Sequence, residues 1–131
     1  MKDPIRTYLR KKGCPEHIVK CGLEGLVETW DTVVTEVSHG YDLTLDDYLN
    51  DMDGRQLIEE VVPRASTPAH KALIKRLGRL DGVMRTLIEP SEKPLWDDNA
   101  VKENGWTAEK NWWYFNRPKR PGPDLRDELE K

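Results

Sequence analysis

"CPEHIVKCGLEGLVETWDTVVTEVSHG", residues 14–40, decides the fold class. Its apolar side chains fall at Val19, Leu23, Leu26, Val27, Trp30, Val33, Val34 and Val37. Intervals of three and four place them on one stripe of a helix. Glu24, Glu28, Asp31, Thr35 and Glu36 fall largely on the other side. Pro15 suits the opening of such a helix and Gly40 its close.

The flanking segments read the same way. Upstream, "PIRTYLRKKG" predicts a short helix with Ile5, Tyr8 and Leu9 on one side, opened by Pro4 and stopped at Gly13. Downstream, Thr44 and Asp47 form a capping box ahead of Leu45, Tyr48, Leu49 and Met52. A second apolar stripe, Leu57, Ile58, Val61 and Val62, is out of phase with the first, and a second box, Asp53 with Gln56, sits at the change. The expectation is two short helices bent near Gly54 and ending before Pro63. A long helix then starts at Pro68 after a Ser/Thr cap. Its Leu73, Leu77, Leu80, Met84 and Leu87 alternate four and three apart, as in a bundle seam, and Pro90 ends it.

Beyond Pro90 the periodicity is lost. Residues 91–111 are rich in turn formers, including Pro94, Asp97, Asp98, Asn99 and Asn104-Gly105. "WWYFN" reads as a short strand or as a short helix capped at Thr107. "RPKRPGP" predicts no regular element, and "DLRDELEK" a closing helical turn or two.

The fold class expected is all-α: one domain over residues 1–131, with a small bundle of four to five helices over 4–89. An irregular Trp-rich segment, 90–131, wraps it and contains at most a short strand or hairpin. The core is expected from Val27, Trp30, Val34, Leu49, Leu57, Leu73, Leu77, Leu80 and Met84. At 131 residues the chain can bury a core without disulfides or metal. The net charge of −3 does not by itself argue for DNA or membrane. No apolar run reaches membrane-spanning length, and the N-terminus has no apolar h-region. A soluble, cytoplasmic bacterial protein is expected, with no membrane partner.

"NWWYFNRP", residues 111–118, holds four of the ten aromatics of the chain in succession. Two readings compete. One is closure of the core, since each large aromatic buries about 150–250 Å². The other is a partner-binding surface of Trp112, Trp113, Tyr114, Arg117, Lys119 and Arg120, because Trp, Tyr and Arg dominate interface hot spots. A second subunit, in a homodimer, would cover the same surface.

Charge is segregated. Residues 41–63 carry seven acids and one base, whereas residues 64–88 carry six bases and one acid. The two segments are expected to pack antiparallel, with their charged faces docked or flanking one seam. The alternative leaves Arg64, Lys71, Lys75, Arg76 and Arg79 exposed for phosphate or an acidic partner, with Lys71, Lys75 and Arg79 in one stripe.

"CPEH" and Cys21 form the one constellation with thiol or metal chemistry. Cys14 at a helix cap would have a lowered thiol pKa, and His17 and Cys21 follow at successive turns. "LNDMDGRQLIEE" lacks a ligand at the first position of a calcium loop, where Leu49 stands. No catalytic motif and no cofactor motif is present. The expected function is a small protein-binding module, an adaptor, antitoxin or immunity-like inhibitor, and not an enzyme. The alternatives are nucleic-acid binding through Lys71, Lys75, Arg76 and Arg79, and a metal or thiol site at Cys14, His17 and Cys21.

Overall fold

The structure is a computed structural model, and it describes residues 3–130. It is an all-α bundle of six helices among those residues, joined by a two-stranded antiparallel ribbon. Helix α1 spans Pro4–Lys11, α2 Glu16–Ser38, α3 Leu45–Val61 and α4 Pro68–Leu87. Strand β1 is Ile88–Pro90, α5 is Asp98–Asn104, β2 is Asn116–Pro118 and α6 is Pro123–Leu129.

Caps set the helix starts. Asp3 accepts from the backbone N–H groups of Ile5 and Arg6, and Thr44 and Asp47 form the expected capping box. Thr67 caps α4 together with His70. Each satisfies donors that a helix start leaves without an intrahelical partner.

Helix α2 is the hub. α1, α3 and α4 all pack on it, and its eight periodic apolar residues are all buried. It is not a regular helix throughout. Gly22 has φ 59° and ψ −149°, a conformation essentially confined to glycine, so α2 breaks about two turns inside its N-terminal end. The break presses Cys21 toward Gly25: a Cβ added at Gly25 would lie 2.3 Å from the Cβ of Cys21.

Two sequence expectations are corrected in α3. The helix runs unbroken through Gly54, continued by a 3-10 turn at Val62–Arg64. The two apolar stripes are joined because Arg55, between them, is itself buried, 4 % exposed, and continues the inward face from Tyr48 and Met52 to Ile58 and Val61. Nor do Asp53 and Gln56 cap anything. They form a polar rail on α3 for the C-terminal segment: Asp53 accepts from the Trp96 indole at 3.0 Å and the Tyr114 hydroxyl at 2.6 Å. Gln56 accepts from Asn111 at 2.9 Å.

The acidic and basic segments do not lie face to face. α3 and α4 both pack on α2, and between them they meet chiefly through the side chains of Arg55 and Asp81 and not along their backbones. Arg76 of α4 pairs with Glu28 and Asp31 of α2 at 2.9 and 2.6 Å. Of the expected core, Val27, Trp30, Val34, Leu49, Leu77 and Met84 are buried, while Leu57, Leu73 and Leu80 are half-buried against it.

The C-terminal wrap is more regular than its composition predicts. Asp97 caps α5 by accepting from the Ala100 N–H, and Gly105 closes it in the left-handed conformation. "RPKRPGP" contributes to β2, which pairs antiparallel with β1 in the register Ile88↔Pro118, Glu89↔Arg117 and Pro90↔Asn116. Prolines are tolerated there because a two-stranded ribbon is all edge. No helix is long and apolar enough to cross a membrane among the described residues.

Candidate functional site

The aromatic run enters the core. Trp112–Tyr114 form a 3-10 turn, not a strand, so the side chains do not alternate between two faces. Trp112 is 6 % exposed, and Trp113 and Tyr114 are each 1 % exposed. Trp106 stacks on Tyr114 with ring centroids 4.1 Å apart, and Trp113 meets Trp112 edge-on. Arg85 lies over the Trp112 ring and Arg55 over Trp113, each at 4.4 Å. Placing guanidinium groups on indole faces lets α3 and α4 hold the wrap by cation–π attraction as well as by burial. Trp112, Trp113 and Tyr114 therefore present no aromatic surface to a partner in this conformation.

The hydroxyl of Tyr114 is held protonated well above its ordinary range, by burial first and then by its hydrogen bond to Asp53. Tyr41 is in the same situation, from burial and its bond to Asp51. Burial raises the Asp51 carboxyl too: the Tyr41 bond opposes that shift, and Glu36 and Asp47 reinforce it.

Of the basic members of the wrap, Lys119 and Arg120 are exposed while Arg117 is half-buried, and Lys119 extends the α4 stripe. Lys119 donates from its backbone to the Leu87 carbonyl at 3.0 Å and from Nζ to the Thr86 carbonyl at 3.1 Å. It thus sits at the C-terminal end of α4, where the helix dipole favours a cation. Lys71, Lys75 and Arg79 are exposed, and Thr86 lies on the same face of α4. From Lys71 to Thr86 the rise per residue spans about 22 Å. The structure thereby brings Lys119 of the tail, separate in the sequence, to the C-terminal end of the α4 stripe.

Two candidates leave that strip. Arg76 is occupied by Glu28 and Asp31. Arg64 donates to the Glu60 carbonyl at 2.6 Å and lies over the Tyr8 ring at 3.9 Å. Apolar side chains flank the strip: Ile74 is 36 % exposed and Val83 50 %, two of the three exposed large hydrophobic residues among the described residues. Gly78 and Gly82 lie on the exposed face of α4, with open space where a Cβ would project.

Cys14, His17 and Cys21 are not brought together as a metal site. No cluster of three His, Cys, Asp or Glu suited to a metal occurs among the described residues. Pro15, not Cys14, is the cap of α2, and the break at Gly22 interrupts the regular turns after Cys21. His17 and Cys21 line a cleft of 330 Å³ between α2 and α3, floored by Ile18, Leu26 and Leu57; Cys14 takes no part in it.

Sequence reasoning missed Arg55 and Asp81 as the centre of the packing. The signal was present: Arg55 is the one base of the acidic segment and Asp81 the one acid of the basic segment. No described protein family, no curated protein and no solved structure matches this chain.

Proposed function

We propose that the protein is a small protein-binding module that docks through the outer face of α4 and Lys119, of the kind used as bacterial cytoplasmic adaptors, antitoxins or immunity-like inhibitors. The partner presents an acidic surface with apolar anchors. One observation supports this above the others: the exposed strip of Lys71, Lys75, Arg79 and Lys119 is edged by the exposed side chains of Ile74 and Val83. Cations with adjacent apolar anchors suit a protein surface, where the apolar contacts supply affinity and the charges orientation and association rate.

The test compares the wild-type chain with a K71E/K75E/R79E variant and with V83D as baits in nuclease-treated host lysate. A partner held at near-equal stoichiometry by the wild type, lost by both variants, and with both variants still folded, supports the reading. A partner held equally by all three removes α4 as the surface. Nucleic-acid binding is the second reading, favoured by the linear spacing of the cations. It requires recovery that collapses with nuclease and an affinity that falls steeply with salt. It also requires V83D to bind as the wild type does.

A further inference from the structure

Among the described residues Arg117 has no ionic partner, although carboxylates surround it. It lines a cleft of 600 Å³ with Glu89, Glu92, Lys93, Glu128 and Glu130. Glu89 stands directly opposite it in the ribbon register. Yet among the described residues no carboxylate comes within 4.0 Å of its guanidinium. Its Nε is shut off from solvent and from any ligand, without a hydrogen-bond partner among the described residues; its two Nη groups, also unbonded, are the part of the guanidinium open to the cleft. A guanidinium whose terminal N–H groups lack protein acceptors favours a ligand that accepts from them. The carboxylates are not all idle: Glu128 accepts from the Leu45 backbone N–H at 3.1 Å, which fixes it to the start of α3.

Charge selects among ligands. A guanidinium presents a planar fork that matches a carboxylate or phosphate. A simple anion would have to approach Arg117 past four glutamates opposed by one lysine, and is repelled. A simple cation would be drawn by the glutamates but would face Arg117. A ligand carrying both charges satisfies both sets. Leu45, Pro90 and Leu129 supply apolar wall for the body of such a molecule. The volume falls within the usual range for small-molecule sites, about 300–1,000 Å³.

We propose that this cleft between the ribbon, the start of α3 and α6 binds a small zwitterion of the amino-acid type, its carboxylate on Arg117 and its ammonium among the glutamates. The site is independent of the α4 strip. The separation of the two charges distinguishes the two sources of this chemistry. An α-amino acid carries them on one carbon, and an ω-amino acid carries them apart.

Isothermal titration tests it, with L-leucine and 6-aminohexanoate as zwitterions and with hexanoate, hexylamine and inorganic phosphate as controls carrying one kind of charge. The expected result is saturable binding of at least one zwitterion with Kd below about 1 mM. Every control binds at least about tenfold more weakly, because each leaves one set of charges unpaired. R117Q abolishes binding and R117K weakens it, since a lysine keeps the charge but not the fork. The proposal is overturned if neither zwitterion binds, if any control binds as tightly, or if folded R117Q binds unchanged. Should R117Q fail to fold, the comparison between ligands on the wild-type chain decides.

Discussion

Arg55 and Asp81 meet in a two-pronged ion pair that ties α3 to α4. Arg55 donates from Nε to Oδ1 of Asp81 at 3.1 Å and from Nη2 to Oδ2 at 2.7 Å. The pair also recruits α2, because the Trp30 indole donates to the same Oδ1 at 3.0 Å. Nη1 of Arg55 reaches Glu59 at 3.1 Å, and the guanidinium covers the face of Trp113. One arginine thus contacts three helices, directly or through Asp81, and the aromatic wrap.

Breaking this pair from one side leaves a largely buried charge alone. The side chains of Arg55 and Asp81 are 5 % and 17 % exposed. R55M is expected to destabilise by about 3–5 kcal/mol, the usual penalty for removing one partner of a buried pair. R55M/D81N is expected to be more stable than R55M alone, because asparagine removes the orphaned charge and still accepts from Trp30. Urea denaturation of the two variants checks both statements; equal stability would show that Asp81 is effectively solvated.

The aromatic run as core makes a prediction opposite to that of an aromatic interface. W113A is expected to lose about 3–5 kcal/mol, as large core truncations do. W113F should lose less, because the Trp113 Nε1 has no partner among the described residues and phenylalanine deletes that unsatisfied donor. R120A, at an exposed position, should stay within about 0.5 kcal/mol of wild type. A folded W113A with wild-type stability would return Trp113 to the surface.

Alkaline pH should unfold the protein through its tyrosines. Burial raises Tyr41, Tyr48 and Tyr114 above the ordinary phenol range, with Asp51 assisting at Tyr41 and Tyr48 and Asp53 at Tyr114. Below about pH 10 folded and unfolded chains both keep these protons, and this contribution to stability is fully present. Above it the unfolded chain releases them first, so stability falls with rising pH by up to about 1.4 kcal/mol per unit for each tyrosine. Y114F should show a shallower fall. Urea midpoints from pH 8 to 11 measure the slope, and a flat profile would contradict it.

Glu60 sets the acid limb with the opposite sign. Burial pushes its carboxyl up, but hydrogen bonds from Lys12, Tyr8 and Gln56 outweigh that and hold it below the ordinary range. Its contribution is present above the unfolded carboxyl value and is lost as pH falls through the folded one. Q56A should therefore shift acid unfolding to higher pH, read by circular dichroism during acid titration.

Glycines in two helices should respond in opposite directions. G22A forces an L side chain into a glycine-only conformation and is expected to cost about 1–3 kcal/mol. G78A and G82A, at exposed helix positions with open space, should each stabilise by about 0.5–1 kcal/mol. Thermal melts separate the three. Stability unchanged in G22A would mean that α2 can run straight through residue 22.

By itself the sequence determined α1, α2 and α4 with their inward faces, and the start of α3. In α2 every periodic apolar position is buried, and the Thr44–Asp47 box caps α3 as expected, because helical period and capping are local properties of neighbouring residues. Tertiary structure alone decided what the polar residues do. The α3 stripe looked broken near Gly54 because nothing local shows that Arg55 can be buried; Asp81, distant in the chain, supplies its partner. Asp53 and Gln56 looked like a cap until Trp96, Tyr114 and Asn111 arrived as donors. Whether Trp112 and Trp113 face inward, and whether Lys119 joins the α4 strip, depended on where the wrap landed. The physical reason is the same in each case: an apolar side chain is buried against almost any apolar neighbour, whereas a polar one can be buried only where a specific partner meets it.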